Sequence, residues 1–325
     1  MASPDAPDIS AYELLKQADV AMYSAKRSRV GGVHAFTPDM HLIEPSELDL
    51  SADANRGAAA VRLLGELRRA IDHVDLSLVY QPQFDLRDDD IVGVEALIRW
   101  PHRDRGLLGP EHFLPLVREH GLMGSVTQLV LAQALDDVAG WHAQGFAVPV
   151  AVNIFAPSLN DLDLPQQISR ALSERDLKPD MLTVEITEDL LLDNLDRTRT
   201  VLNKLRDRGV RIAIDDFGSG YAALWYLREL PVDEVKLDRE FIEPILVNPR
   251  AAAIVRGVID LAHTLGVTPV AEGVENADTA IRLLEYGCEV AQGYLYSPPV
   301  AAPAMRAMLA SHGPVKPRSA PAAFS

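Results

Sequence analysis

The sequence predicts an α/β fold, a (β/α)₈-type barrel occupying residues 78–300. Three observations predict it. Apolar, strand-like runs alternate with amphipathic helical ones, which implies a largely parallel sheet covered by helices. About eight such strands over about 230 residues suit a closed barrel better than a doubly wound sheet. No glycine-rich dinucleotide fingerprint follows the first parallel strand, which weakens the doubly wound alternative.

The elements run in this order. Residues 1–9 are rich in Pro and Asp and read as disordered. ISAYELLKQADVAMYSAKRS places Tyr12, Leu14, Leu15, Ala18, Ala21, Met22 and Ala25 at helical spacing, and Gly31–Gly32 then breaks it before a strand-like VHAF. Residues 1–42 thus form a leading segment too short to bury a core. Residues 43–58 are acidic and rich in small residues and read as a linker. A helix over 59–75 opens the main body, which extends to residue 311. Its strands are LSLVYQPQF, IVGVEALIRW, VPVAVNI, LTVEITE, RIAIDDF, EVKLD, TPVAEGV and AQGYLYS. Helices are expected near 112–143, 163–175, 194–208, 221–229, 250–265 and 276–286. Only LRDDD joins the first two strands, which suits a hairpin and makes that pair antiparallel. The tail, residues 312–325 (HGPVKPRSAPAAFS), reads as disordered from its Pro, Ser and Ala content.

Composition narrows the function. The formal net charge of −16 argues against a sequence-independent DNA or RNA binder, which needs a basic surface. It leaves room for a small anionic ligand, because bound divalent cations reverse the sign of an acidic pocket. One cysteine, Cys288, excludes a disulfide framework and points to a reducing, cytoplasmic compartment. No apolar run approaches the roughly 18 residues of a spanning helix, and the first residues are unlike a signal peptide.

The chemistry-bearing residues gather within or at the C-terminal ends of the strands. They are Glu95, Asn153, Glu185 with Glu188, Asp215 with Asp216, Lys236 with Asp238, Glu272 with Glu275, and Gln292 with Tyr294. A charge inside an apolar strand costs several kcal/mol unless it is paired or metal-bound. Nearly every strand brings one to the rim where barrel active sites lie, so a shared site is expected. The set is rich in Asp, Glu and Asn and lacks His, which favours Mg²⁺ or Mn²⁺ over zinc or copper. Adjacent carboxylates such as Asp215 and Asp216 suit two cations about 3.5–4 Å apart, an arrangement that cleaves phosphodiesters. Lys236 could hold a water or phosphate oxygen, and Glu272 could take a proton. On these grounds alone a glycosidase using two carboxylates, or an aldolase using Lys236, stays open.

The strings YQPQFDL, EALIRW, VNI, VEITE, IDDFGSGY, VKLD, AEGVE and QGYLYSPP, in this order and spacing, resemble the EAL-domain family of cyclic di-GMP phosphodiesterases over residues 60–310. The resemblance implies a TIM-like barrel with an antiparallel first strand, cleaving cyclic di-GMP to linear pGpG with Mg²⁺ or Mn²⁺. By motif, Glu95, Asn153, Glu185 and Asp215 would bind the first ion, and Asp215 would bridge to a second that Asp216 also binds. Lys236 and Glu272 would position and deprotonate the attacking water. Gln81, Arg99, Tyr294 and the backbone at Leu97 would contact the dinucleotide. Glu188 would anchor the loop beginning at Phe217, while Asp238, Glu275 and Gln292 would support the site. Ile154 and Phe155 depart from the Leu-Ser-containing stretch that usually follows the Asn.

Family members often form homodimers through the loop and helix near the fifth strand, which here implies residues 217–245. The resemblance also admits a non-catalytic cyclic di-GMP receptor or protein-interaction module. ADVAMYSAKRSRVGGVHAF resembles the C-terminal end of a GGDEF diguanylate cyclase domain. The catalytic body of that domain is missing from this sequence, so cyclase activity is not expected of it.

Overall fold

The computed structural model describes residues 50–187, 195–218 and 223–312. The chain divides into two compact units, Met1–Gly65 and Glu66–Ser325. In the first unit the described residues, 50–65, are all helical and belong to a helix Leu50–Asp72. That helix starts inside the stretch read as a linker. Its run of Ala, Arg and Leu has high helix propensity, which outweighs the small-residue, acidic character that suggested a loop. The leading helix and strand read in residues 1–42, and the tail from 313 onward, lie outside the described residues.

The second unit is a closed barrel. Its strands are β1 (Ser77–Asp85), β2 (Ile91–His102), β4 (Val150–Asn153), β5 (Leu182–Thr187), β6 (Arg211–Phe217), β7 (Glu234–Leu237), β8 (Thr268–Ala271) and β9 (Val290–Ala291). Two short additions lie off this ring: β3 (Gly106–Leu108), antiparallel to β2, and β10 (Val300–Ala301), antiparallel to β1. From β2 through β9 every neighbouring pair on the ring is parallel. β1 closes the ring antiparallel to both β2 and β9. The hairpin expectation is therefore correct, and its cause is connection length. Residues 86–90 are too few for a crossover, and Asp89 turns the chain at φ 57°. Asp85 ties the turn down by accepting from the Arg87 backbone and from Arg87 Nε, both at 2.9 Å.

Helices cover the outer face. Their start signals are local: Asn248 accepts from the Arg250 and Ala251 amides, and Asn276 from the Thr279 amide. The helix expected over 112–143 is divided. A 3₁₀ turn Pro110–His112 and a helix Leu114–Glu119 precede the long helix Met123–His142. The break falls at Gly121, whose φ of 67° no helix interior accommodates. The last strand is also shorter than AQGYLYS. Pairing ends at Ala291, and the chain then folds over Val274, which donates its amide to Gln292 O at 3.1 Å. Gly293 makes this possible, since a Cβ there would lie 2.1 Å from Val274 O.

Alternation along the strands separates two environments. Val150, Val184, Ile212, Ile214 and Val235 are fully buried. The intervening positions, among them Glu95, Asn153, Glu185, Asp215 and Lys236, share the opposite face of the ring. Replacing Ile212 by Ala should cost about 2–5 kcal/mol, the usual loss for a fully buried aliphatic side chain. Urea unfolding reads this directly. A loss well under about 1 kcal/mol would mean that the helical layer does not close on β6 as described.

Candidate metal and catalytic site

Lys236, on β7, lies at the centre of the site. Its side chain is 1% exposed, and Nζ contacts Glu272 at 2.8 Å, Glu185 and Asp215 at 3.0 Å, and Glu95 at 3.2 Å. Register explains the convergence: Asn153 pairs with Glu185, Glu185 with Ala213, and Lys236 with Val270. Side chains from β2, β4, β5, β6 and β7, and from the residue after β8, therefore meet inside one end of the ring. Small neighbours such as Ala151 and Ala213 leave room between them.

Amide donors complete the network. Asn153 Nδ2 donates to Glu95 at 3.1 Å and to Glu185 at 3.2 Å. Gln292 Nε2 donates to Glu95 at 2.7 Å and to Gln81 Oε1 at 3.0 Å. Gln81 in turn donates to Ser297 O at 3.2 Å. Asp216 stands at the rim with φ 53°, and its amide donates to Asp215 Oδ1 at 3.1 Å. A left-handed non-glycine residue is uncommon, and here it sits beside the cluster.

Four carboxylates meet one ammonium, with Asp216 beside them at the rim, and their proton affinities reflect it. Burial, with Glu95 alongside, pushes Glu185 well above the usual carboxylate range. Burial also raises Asp215, against the pull of Lys236. Glu272 is pushed up to about 8 by burial, with Asp215 and Glu95 adding to it and Lys236 opposing. Asp216 rises to about 6 through burial and then Asp215 and Asp238. Glu95 differs. Burial works to raise it, but Lys236 and the Gln292 hydrogen bond together hold it below its ordinary value. Lys236 is raised well above the ordinary lysine range; burial works against this, and Asp215, Glu185, Glu272 and Glu95 overcome it.

This excess of buried oxygen donors over positive charge fits hard divalent cations. Carboxylate oxygens of Glu95, Glu185 and Asp215 lie within 4.8 Å of one another, as do those of Asp215, Asp216 and Glu272. The two groups share Asp215, so two neighbouring ions could be held with that residue between them.

Above the cluster opens a cavity of about 290 Å³ lined by Gln81, Glu95, Leu97, Asp215, Glu272, Glu275, Gln292 and Tyr294, all of them expected from sequence. Tyr294 is two-thirds exposed at its mouth. Arg99 is not among the lining residues; it lies two positions past Leu97 and donates to Ile98 O. Asp238 caps the helix Arg239–Ile242 by accepting from the Glu240 amide at 2.7 Å. Glu188 lies outside the described residues, as do positions 219–222 of the following loop. Arg239, Gly273 and Gly293 also line the cavity and escaped the sequence reading, and of these three Arg239 alone carries a charge. Arg239 meets Glu275 at 2.9 Å. Its only local signal was its position directly after VKLD, and nothing in the sequence links it to Glu275.

A barrel interior lined by carboxylates in this way belongs to the class of sites whose oxygen ligands could hold divalent cations. The particular family follows from comparison. The EAL domain model matches residues 64–299, and the chain belongs to the EAL-domain family. Two Pseudomonas aeruginosa proteins are similar to it. The cyclic di-GMP phosphodiesterase NbdA is 36% identical over 301 residues, covering 92% of this chain and 37% of NbdA. The bifunctional diguanylate cyclase/cyclic di-GMP phosphodiesterase MucR is 35% identical over 300 residues, covering 92% of this chain and 42% of MucR. The chain thus spans less than half the length of these curated relatives. Among solved structures, the MucR phosphodiesterase in complex with c-di-GMP superposes with a TM-score of 0.71 at 37% identity, covering 75% of this chain and 99% of that one.

Replacing Lys236 by Met should destabilise the metal-free protein strongly, because removing one partner from buried ion pairs costs about 3–5 kcal/mol. Excess Mg²⁺ or Mn²⁺ should recover part of that loss by supplying the missing charge. Thermal unfolding with EDTA and with each cation tests both points. An equal loss under all conditions would count against cation binding by these carboxylates.

Proposed function

We propose that the chain is a metal-dependent phosphodiesterase that hydrolyses cyclic di-GMP to linear pGpG and so lowers the level of this second messenger in the cytoplasm. The observation that carries the proposal is the pair of carboxylate groups sharing Asp215 beneath an open cavity. Further support comes from the similarity to NbdA and MucR.

Glu95, Asn153, Glu185 and Asp215 would hold one Mg²⁺ or Mn²⁺, and Asp215 with Asp216 a second. Asn153 would present Oδ1 to the cation in place of the Nδ2 that now faces Glu95 and Glu185. The ions would polarise the phosphoryl group and favour deprotonation of the attacking water. Glu272, with its raised affinity for protons, would accept the water's proton. Lys236 would orient that water or a phosphoryl oxygen through its ammonium. The water oxygen would form a new bond to phosphorus as the bond to one ribose 3′ oxygen breaks, and that oxygen would take a proton from solvent and leave as a hydroxyl. Gln81, Tyr294 and the Leu97 backbone would hold the dinucleotide, with Gln292 and Glu275 supporting the walls of the cavity. By motif, Arg99 would also contact the dinucleotide, and Glu188 would anchor the loop beginning at Phe217.

Purified protein should convert cyclic di-GMP to pGpG in Mg²⁺ or Mn²⁺, and EDTA should abolish turnover. Chromatographic identification of the product decides the matter. Binding without pGpG would instead favour a receptor. Glu95→Ala should lose essentially all turnover while keeping a wild-type circular dichroism spectrum. Glu272→Gln should keep substrate affinity and lose at least about 10²-fold in kcat, the scale of a general base. Near-normal activity in either variant would overturn its assigned role.

A homodimer through residues 217–245 is proposed as well. It is supported by Leu224 and Trp225, which are 61% and 41% exposed on the short helix Ala223–Glu229. Sedimentation velocity should show Trp225→Glu shifted toward monomer relative to wild type. An unchanged wild-type monomer, or an unaffected dimer, would rule this surface out.

A further inference from the structure

The carboxylates explain how the site could act on a phosphodiester, but not how it could choose a base. Among the described residues the cavity's lining carries Glu95, Asp215, Glu272 and Glu275, and a single arginine, Arg239. Three features fix Arg239. It opens the helix that Asp238 caps. Its Nη1 meets Glu275 at 2.9 Å. Its aliphatic stem lies over the bare backbone of Gly273, where a Cβ would fall 2.5 Å from Arg239 Cβ and Cγ. Gly273 also has φ 63°, so two independent reasons exclude a side chain there. Gly273 directly follows Glu272, and the arginine is thereby indexed to the end of β8 that carries the proposed base.

We infer that Arg239 is a specificity-determining residue that reads the O6 and N7 edge of a guanine of the substrate. This rests on the cyclic di-GMP reading above. The chemistry of the pair decides between the two kinds of group a cyclic dinucleotide offers. A phosphate approaching Arg239 would also approach the Glu275 carboxylate, so attraction and repulsion would largely cancel. A guanine has the opposite character. It presents the acceptors O6 and N7 beside the donors N1–H and N2–H₂ and carries no charge. A guanidinium presents five N–H donors in a rigid fork, matching O6 and N7 with two hydrogen bonds. Adenine places an N6 amino donor where guanine has O6, so one N–H of the fork would face another donor. Arg239, half exposed with its charge already balanced by Glu275, suits the neutral base.

The test measures binding of cyclic di-GMP and cyclic di-AMP by calorimetry in EDTA, and kcat and KM for cyclic di-GMP in Mg²⁺. It uses the full chain and the variants Arg239→Ala and Arg239→Lys, each checked by circular dichroism. Arg239→Ala should raise KM at least about tenfold, by more than any fall in kcat, and narrow the preference for cyclic di-GMP over cyclic di-AMP by about 10- to 100-fold. Arg239→Lys should behave like Arg239→Ala, because an ammonium keeps the charge but cannot make the paired contact. Full base discrimination in Arg239→Lys would overturn the assignment in favour of a charge contact to phosphate. Wild-type discrimination in Arg239→Ala would overturn it outright, while leaving the phosphodiesterase reading intact. Wild-type protein that neither binds nor cleaves cyclic di-GMP would overturn both, so the two failures are told apart.

Discussion

One ammonium group organises the inside of this barrel. Lys236 Nζ lies within 3.2 Å of oxygens from Glu95, Glu185, Asp215 and Glu272, in an interior where an unpaired charge costs several kcal/mol. Without that lysine the strands would bring four carboxylates together with no positive charge among them. With it, the acids are already gathered at short range before a cation arrives, and their unequal proton affinities follow. Glu95, which also receives hydrogen bonds from Gln292 and Asn153, is held below its ordinary value. Glu185 and Glu272, with less compensation, hold protons more tightly.

The same cluster depends on how the ring closes. β1 enters antiparallel and pairs Gln81 opposite Glu95, while β9 on its other side delivers Gln292 to both. A parallel first strand would reverse which of its ends reaches the rim. The walls depend on close approaches that only glycine permits. Gly293 presses on the Val274 backbone, and Gly273 lies under the stem of Arg239. Ring closure and site assembly are therefore one constraint.

Much of this was legible along the chain, for a definite reason. Strands buried on both faces read as apolar runs, so an acid or amide inside one stands out and marks an inward position near a strand end. Glu95, Asn153, Glu185, Asp215, Lys236 and Glu272 were all visible in that way, and the short LRDDD connection exposed the antiparallel strand. Misreadings fell where one residue's backbone geometry or a long-range contact decides. Gly121 splits a helix that periodicity alone would continue. Val274, packed against Gly293, ends the last strand at Ala291. Helix propensity carried Leu50–Asp72 back into a stretch whose composition suggested a linker.

By itself, then, the sequence determined the barrel, the order of the acid and amide residues along its strands, and the family, because strand periodicity and motif spacing are properties of neighbouring residues. Only the tertiary structure decided which of those acids share Lys236, that Asn153 and Gln292 both donate to Glu95, that Arg99 stands outside the cavity lining, and that Arg239 joins it through Glu275. These facts concern residues far apart in sequence, and strand register and ring closure alone bring them within a few ångströms of one another.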